Sequence, residues 1–197
     1  AAMMAVVKGG SIPETWSTVL YVLIAKKAPA DPSTVRGRRE IALLSVGLKV
    51  LLQTVRMVSY QRAASRAILA QTGWMAGFGY TDPCLALTSL VHSKRRSGGT
   101  LWFLYCDLKK FFPSIQRAIG READLLHGLP EEVVDLVRLI YAAADGEGVT
   151  CRLDTAAGLS DPFRNPLGRL MGCPLSTETA RMLLNTVLVA ISLSVKG

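Results

Sequence analysis

The sequence predicts an α+β fold. Apolar runs of strand length, at 15–24, 41–45, 101–105 and 149–155, are mixed with helix-spaced patterns at 46–70, 131–144 and 178–193. The two kinds do not alternate strictly, as a parallel βαβ array would require. Half of the 197 residues are hydrophobic and only 19% are charged, which argues against disorder. A chain this long is one domain or two tightly joined subdomains with a sizeable core.

Each element has its own signature. Residues 15–24 are apolar with β-branched members and read as a strand or a short helix. They end in Lys26 and Lys27, and a loop with Pro29, Asp31, Pro32 and Ser33 follows. Arg36, Arg38 and Arg39 lead into a second strand at 41–45. Residues 46–70 mix apolar and basic residues at helix spacing. The glycine-rich, aromatic stretch 73–82 reads as a loop. Pro83 opens a helix through Val91, closed by Ser97, Gly98 and Gly99. The aromatic run 101–105 reads as a buried strand that delivers Asp107 at its end. Residues 131–144 form an amphipathic helix, 149–155 read as a strand, and 162–166 as irregular chain. A glycine turn, 168–172, then opens into the last helix, 178–193.

Composition narrows the function classes. A net charge of +8 and a pI near 9.6 favour an anionic partner, nucleic acid first and an acidic membrane surface second. An ordinary basic protein would carry the same charge. Cys84, Cys106, Cys151 and Cys173 are widely spaced without a C-x-x-C pair, and His92 and His127 are the two histidines. That pattern argues against a zinc cluster and reads as buried thiols of a reducing compartment. No apolar run is long enough to span a membrane; the longest, 182–195, is interrupted by Asn185, Thr186, Ser192 and Ser194. The start, Ala1 to Met4, lacks signal-peptide features. The chain stops soon after an apolar helical pattern, so a fragment of a longer polypeptide is expected.

Two stretches carry chemistry. The first is Cys106-Asp107-Leu108-Lys109-Lys110-Phe111-Phe112-Pro113-Ser114-Ile115. An acid at the mouth of an apolar strand is costly unless it faces water, a partner or a metal. The second is Gly168-Arg169-Leu170-Met171-Gly172-Cys173-Pro174-Leu175-Ser176-Thr177, where glycine permits close backbone approach and Ser176 can cap a helix. In this order they resemble motifs A and B of reverse transcriptases, particularly those of non-LTR retrotransposons and group II introns. Asp107, Leu108, Lys109 and Phe112 fit the family's D-[LI]-K-x-x-F core. Gly168, Gly172, Pro174, Leu175 and Ser176 fit G-x-x-Q-G-x-P-L-S-P. Met171 departs from the glutamine, Thr177 from the last proline, and Pro113 stands where many relatives carry a second aspartate.

The resemblance implies the fingers and part of the palm of a right-hand polymerase. Residues 1–98 would be fingers-like and 99–197 a partial palm, with 131–165 free to return to the fingers. It implies that Asp107 is a catalytic carboxylate holding Mg²⁺, since nucleotidyl transfer uses two metal ions about 4 Å apart. Taken alone, an aspartate before two lysines more often caps a turn. Phe112 would block a ribose 2′-hydroxyl, or pack in the core. Gly172 would border the nucleotide. Lys26 or Lys27, with Arg39, match the family's L-I-P-K and R-P-I elements, with Ala25 and Glu40 replacing the prolines. They would clamp a triphosphate, or form a solvated charge run. The stretches Gln71 to Trp74 and Gly77 to Asp82 loosely match a segment that precedes motif A, and Trp74 and Phe78 would pack under a template or in the core. Lys94, Arg95 and Arg96 would touch phosphates, or line a solvated turn. Partners implied are an RNA template, a DNA primer and dNTP, with no membrane. Motif C, an aromatic-x-Asp-Asp turn, is missing, and no Asp-Asp pair occurs in the sequence. A polymerase fragment inactive by itself is therefore expected. The alternatives are a non-catalytic RNA-binding scaffold or retroelement relic, and, far behind, a basic membrane-surface protein.

Overall fold

The structure, a computed structural model, describes residues 12–27, 29–31, 33–60, 71–75, 77–141, 149–165 and 167–196. It is α+β, with helices around a mixed sheet. After one helical turn, α1 (Glu14–Ser17), comes β1 (Thr18–Ala25), whose β-branched and aliphatic side chains suit a pleated surface. It pairs antiparallel with β2 (Arg38–Leu43) and parallel with β3 (Val149–Thr155). Two short strands, β4 (Gly158–Leu159) and β5 (Phe163–Asn165), pair antiparallel with β3. Residues 162–166, expected to be irregular, thus include a strand. Its presence reflects pairing with β3, not a local apolar pattern.

Register and alternation fix the two faces of the sheet. Leu23 pairs with Glu40, Tyr21 with Ala42 and with Leu153, and Val19 with Cys151. These residues share the face that covers the core, where Val19, Ala42 and Cys151 are buried. Arg39 and Ile41, one step along β2, belong to the opposite face.

The helices complete the core. Helix α2 (Val46–Val55) starts at Ser45, whose hydroxyl accepts the Leu48 N–H at 3.3 Å. It buries Leu48, Leu51 and Leu52, then widens into a π-helical turn, Arg56–Tyr60, that buries Tyr60. The rest of the helix expected over 46–70 lies outside the described residues. Helix α3 (Thr81–Arg96) extends the expected 83–91 at both ends and buries none of its residues. A one-turn helix, α4 (Phe111–Ser114), precedes α5 (Arg117–Leu126), which the sequence reading missed. Helix α6 (Glu131–Tyr141) buries Val134, Val137, Ile140 and Tyr141 on one face. The last helix, α7 (Ser176–Lys196), packs on α5.

Two expectations are corrected. Residues 101–108 form no strand: they are irregular, with Trp102, Leu104 and Tyr105 more than 80% exposed. A strand needs a neighbour for its N–H and C=O groups, and none of the described strands pairs with this segment. Cys84 and Cys106 are exposed, whereas Cys151 and Cys173 are the buried small hydrophobes expected of all four. No described helix is long and apolar enough to cross a membrane.

Candidate functional site

Three segments distant in sequence meet at one junction. The Phe112 carbonyl, in α4, accepts the Arg169 N–H at 2.8 Å. Gly168, at φ 77°, lies so close that an added Cβ would sit 2.5 Å from the Pro113 carbonyl oxygen. The Ala42 N–H of β2 donates to the Met171 carbonyl at 2.7 Å. Gly172, at φ 117°, has no room for a side chain because a Cβ would run into the Ala42 carbonyl. Only glycine is at ease in that conformation and that space. The two chemistry-bearing stretches and the β1–β2 hairpin are thereby joined through backbone contacts.

Buried charge locks the junction from behind. The Arg117 guanidinium donates to three carbonyls: Tyr141 at 2.8 Å, Asn165 at 2.5 Å and Gly168 at 3.3 Å. Arg117 and Arg169 both lie over the Tyr141 ring, 5.3 and 4.9 Å from its centroid. Arg169 also faces the Asp124 carboxylate of α5 at 3.6 Å. Asp124 in turn accepts from the Tyr60 and Thr179 hydroxyls, each at 3.3 Å. Burial pushes the Asp124 carboxyl up to about 6, and the nearby Arg169 cation only partly offsets this. Burial likewise holds the Tyr60 and Tyr141 hydroxyls above the usual tyrosine range. It lowers Arg117, and the Arg169 cation adds to that effect.

Ser176 does not cap the last helix as expected. It is the first helical residue, and its hydroxyl donates to the Leu170 carbonyl at 2.8 Å and meets the Tyr141 hydroxyl at 3.1 Å. Those bonds close the glycine turn on itself.

A cavity of about 380 Å³ opens beside the junction, lined by Tyr21, Leu23, Glu40, Pro113, Arg169 and Met171 among others. It lies on the core face of the sheet, so Glu40 borders it and Arg39 does not. Phe112 is half-buried, with the Trp74 ring 5.8 Å away edge-on and the Phe111 ring 5.8 Å away and tilted. Lys26 and Lys27 are exposed at the end of β1, near Arg39 across the hairpin. The Lys26 ammonium donates to the Arg36 carbonyl at 2.7 Å. Lys94, Arg95 and Arg96 form the exposed last turn of α3, where cations favourably face the helix C-terminus. Asp107 is exposed on the irregular 101–108 segment. The structure therefore brings Phe112 and Gly172 to one junction and sets Lys26, Lys27 and Arg39 around the β1–β2 end, while Asp107 and the 94–96 cluster are exposed. No group of three or more His, Cys, Asp or Glu placed to hold a metal ion occurs among the described residues.

Sequence reasoning missed Arg117, Asp124, Arg169 and Tyr141. The signal available was Arg169 inside the glycine turn, where a charged residue beside Leu170 invites a buried partner.

Comparison with known proteins adds fold and kinship. The fold is similar to that of an apo telomerase from Candida tropicalis truncated from its C-terminal domain, with a TM-score of 0.58. That likeness covers 95% of this chain and 42% of the telomerase chain, at 14% identity. In sequence, the chain is 23% identical over 171 residues to the transposon TX1 uncharacterized 149 kDa protein of Xenopus laevis. The match takes in 87% of this chain but only 12% of the transposon protein. No protein-family profile matches.

Proposed function

We propose that this chain is the fingers and the first half of the palm of an RNA-directed DNA polymerase of retroelement type. The observation that carries the reading is the junction itself. Two stretches that resemble motifs A and B, more than about 50 residues apart in sequence, are joined by the Arg169–Phe112 bond and the Gly168–Pro113 contact. The hairpin that carries Lys26, Lys27 and Arg39 docks on the same turn through Ala42. The telomerase-like fold and the similarity to a transposon protein support it, telomerase being itself a reverse transcriptase. The short share of both relatives supports a larger parent.

Under this reading each residue has a task. Phe112 presents its ring to the sugar of an incoming nucleotide and refuses a 2′-hydroxyl by bulk. Gly172, exposed where the turn meets β2, borders the nucleotide. Arg39, with Lys27 or Lys26, meets the triphosphate, whose charge must be balanced through phosphoryl transfer. Asp107 would be one carboxylate holding Mg²⁺, which when bound would supply charge stabilisation for nucleotidyl transfer. RNA template, DNA primer and dNTP are the partners, with the basic turn at Lys94, Arg95 and Arg96 on nucleic-acid phosphates. A scaffold that binds RNA without chemistry is the competing reading, favoured by the exposed setting of Asp107.

The test is RNA-templated primer extension by the full polypeptide encoded around this chain, with and without Asp107→Asn. The expected result is extension that the substitution abolishes while RNA binding persists. RNA binding without extension in the unaltered polypeptide would leave the scaffold reading.

A further inference from the structure

Trp74 and Lys110 are the non-glycine residues with positive φ among those described, at 57° and 51°. Lys110 immediately precedes α4, and the Trp74 indole packs edge-on against Phe112. A left-handed backbone costs an ordinary residue about 1 kcal/mol or more. A plain turn would place glycine or asparagine at such a position, and Gly73 stands one residue earlier. The chain puts a tryptophan there instead. The turn is held from its own side, because the buried Gln71 accepts the Gly73 N–H at 2.9 Å.

The Phe112 backbone is already fixed by the Arg169 N–H. What remains free is the rotation of its side chain, and the ring contact that comes from a distant segment is Trp74. We infer that Trp74 is a positioning residue: its indole edge fixes the Phe112 ring and so sets how strongly a ribonucleotide is refused. The inference rests on the proposed role of Phe112. Steric exclusion works only if the excluding group cannot swing away, so a ring held on one side alone would leak. An edge-to-face pair contributes about 0.5–1.5 kcal/mol beyond simple burial, enough to tilt a rotamer equilibrium.

The test is single-nucleotide incorporation by the full polypeptide, comparing a dNTP with its matching ribonucleotide. Trp74→Ala should lower the deoxy-to-ribo preference by about fivefold to tenfold, with dNTP incorporation largely kept. Trp74→Gly, which relieves the strained φ, should do the same, so a folding defect cannot explain both. Trp74→Phe should restore most of the preference. In a Phe112→Ala background, Trp74→Ala should change the ratio no further. Equal loss of both substrates in Trp74→Ala and Trp74→Gly, with the ratio intact, would overturn the inference while leaving Phe112 its role. If Phe112→Ala itself leaves the ratio unchanged, the role given to Phe112 fails, and the inference falls with it.

Discussion

The two halves of one short motif fold under opposite conditions. From Phe111 to Ser114 the chain is helical, bonded to Arg169 and pressed against Gly168. From 101 to 108, only a few residues earlier, it is irregular and exposes Trp102, Leu104 and Tyr105. The later half succeeds because its partners are inside this chain: a glycine turn that leaves room for it, with buried Arg169 and half-buried Arg117 holding the turn. The earlier half has the composition of a strand but pairs with none of the described strands. Composition states a preference for burial, and pairing decides whether it is met.

The comparison can be broken first at the glycines. Gly172→Val forces a Cβ toward the Ala42 carbonyl at a φ of 117° and should destabilise the chain by about 3–5 kcal/mol in denaturant unfolding. Next comes the buried pair. Arg169→Met removes the cation facing Asp124 and should cost about 3 kcal/mol, because it leaves a buried carboxylate unpaired. Adding Asp124→Asn should recover part of that loss.

The third test uses pH. The Asp124 carboxyl sits near 6 in the folded chain, above its ordinary value of 3.8. The folded state thus holds this proton more tightly than the unfolded one. Its contribution to stability is full below about pH 4 and is lost as pH rises toward 6, about 3 kcal/mol at most. Relative to Asp124→Asn, the unaltered chain should lose stability across that window, as read by thermal melts at fixed pH. The smallest effect belongs to the open half: Trp102→Ser should shift stability by less than about 0.5 kcal/mol. A large loss there would mean that the segment is packed after all.

Much of the fold was legible because its signals are local. The β-branched run in β1 and the glycine turn before α7 announce themselves in sequence, whereas Ser45, read as the end of a strand, caps α2. Helix α5 was missed although Ile119, Ala123 and Leu126 recur at helix spacing; its buried face is made of Gly120, Ala123 and Asp124, which do not read as a core face. Arg117, Asp124 and Arg169 read as solvated charges when taken singly, since their burial exists only once α5, α6 and the glycine turn are packed. The strand expected at 101–105 failed for the converse reason: apolar character was present, and a ladder partner was not. At the candidate site, Phe112, Gly172 and Trp74 were visible in family-like segments, whereas the Arg117 and Arg169 contacts and the Trp74–Phe112 ring pair were visible only in three dimensions.

For Asp107 to hold Mg²⁺ in a larger polymerase palm, as proposed, the irregular 101–108 segment must become ordered there. Backbone amide exchange tests it directly, comparing this chain with the full polypeptide encoded around it. Residues 169–176 should be protected in both. Residues 101–108 should exchange freely in this chain and become strongly protected in the full polypeptide. If 101–108 exchange freely in both, no strand holds Asp107, and a polymerase built on that carboxylate is contradicted.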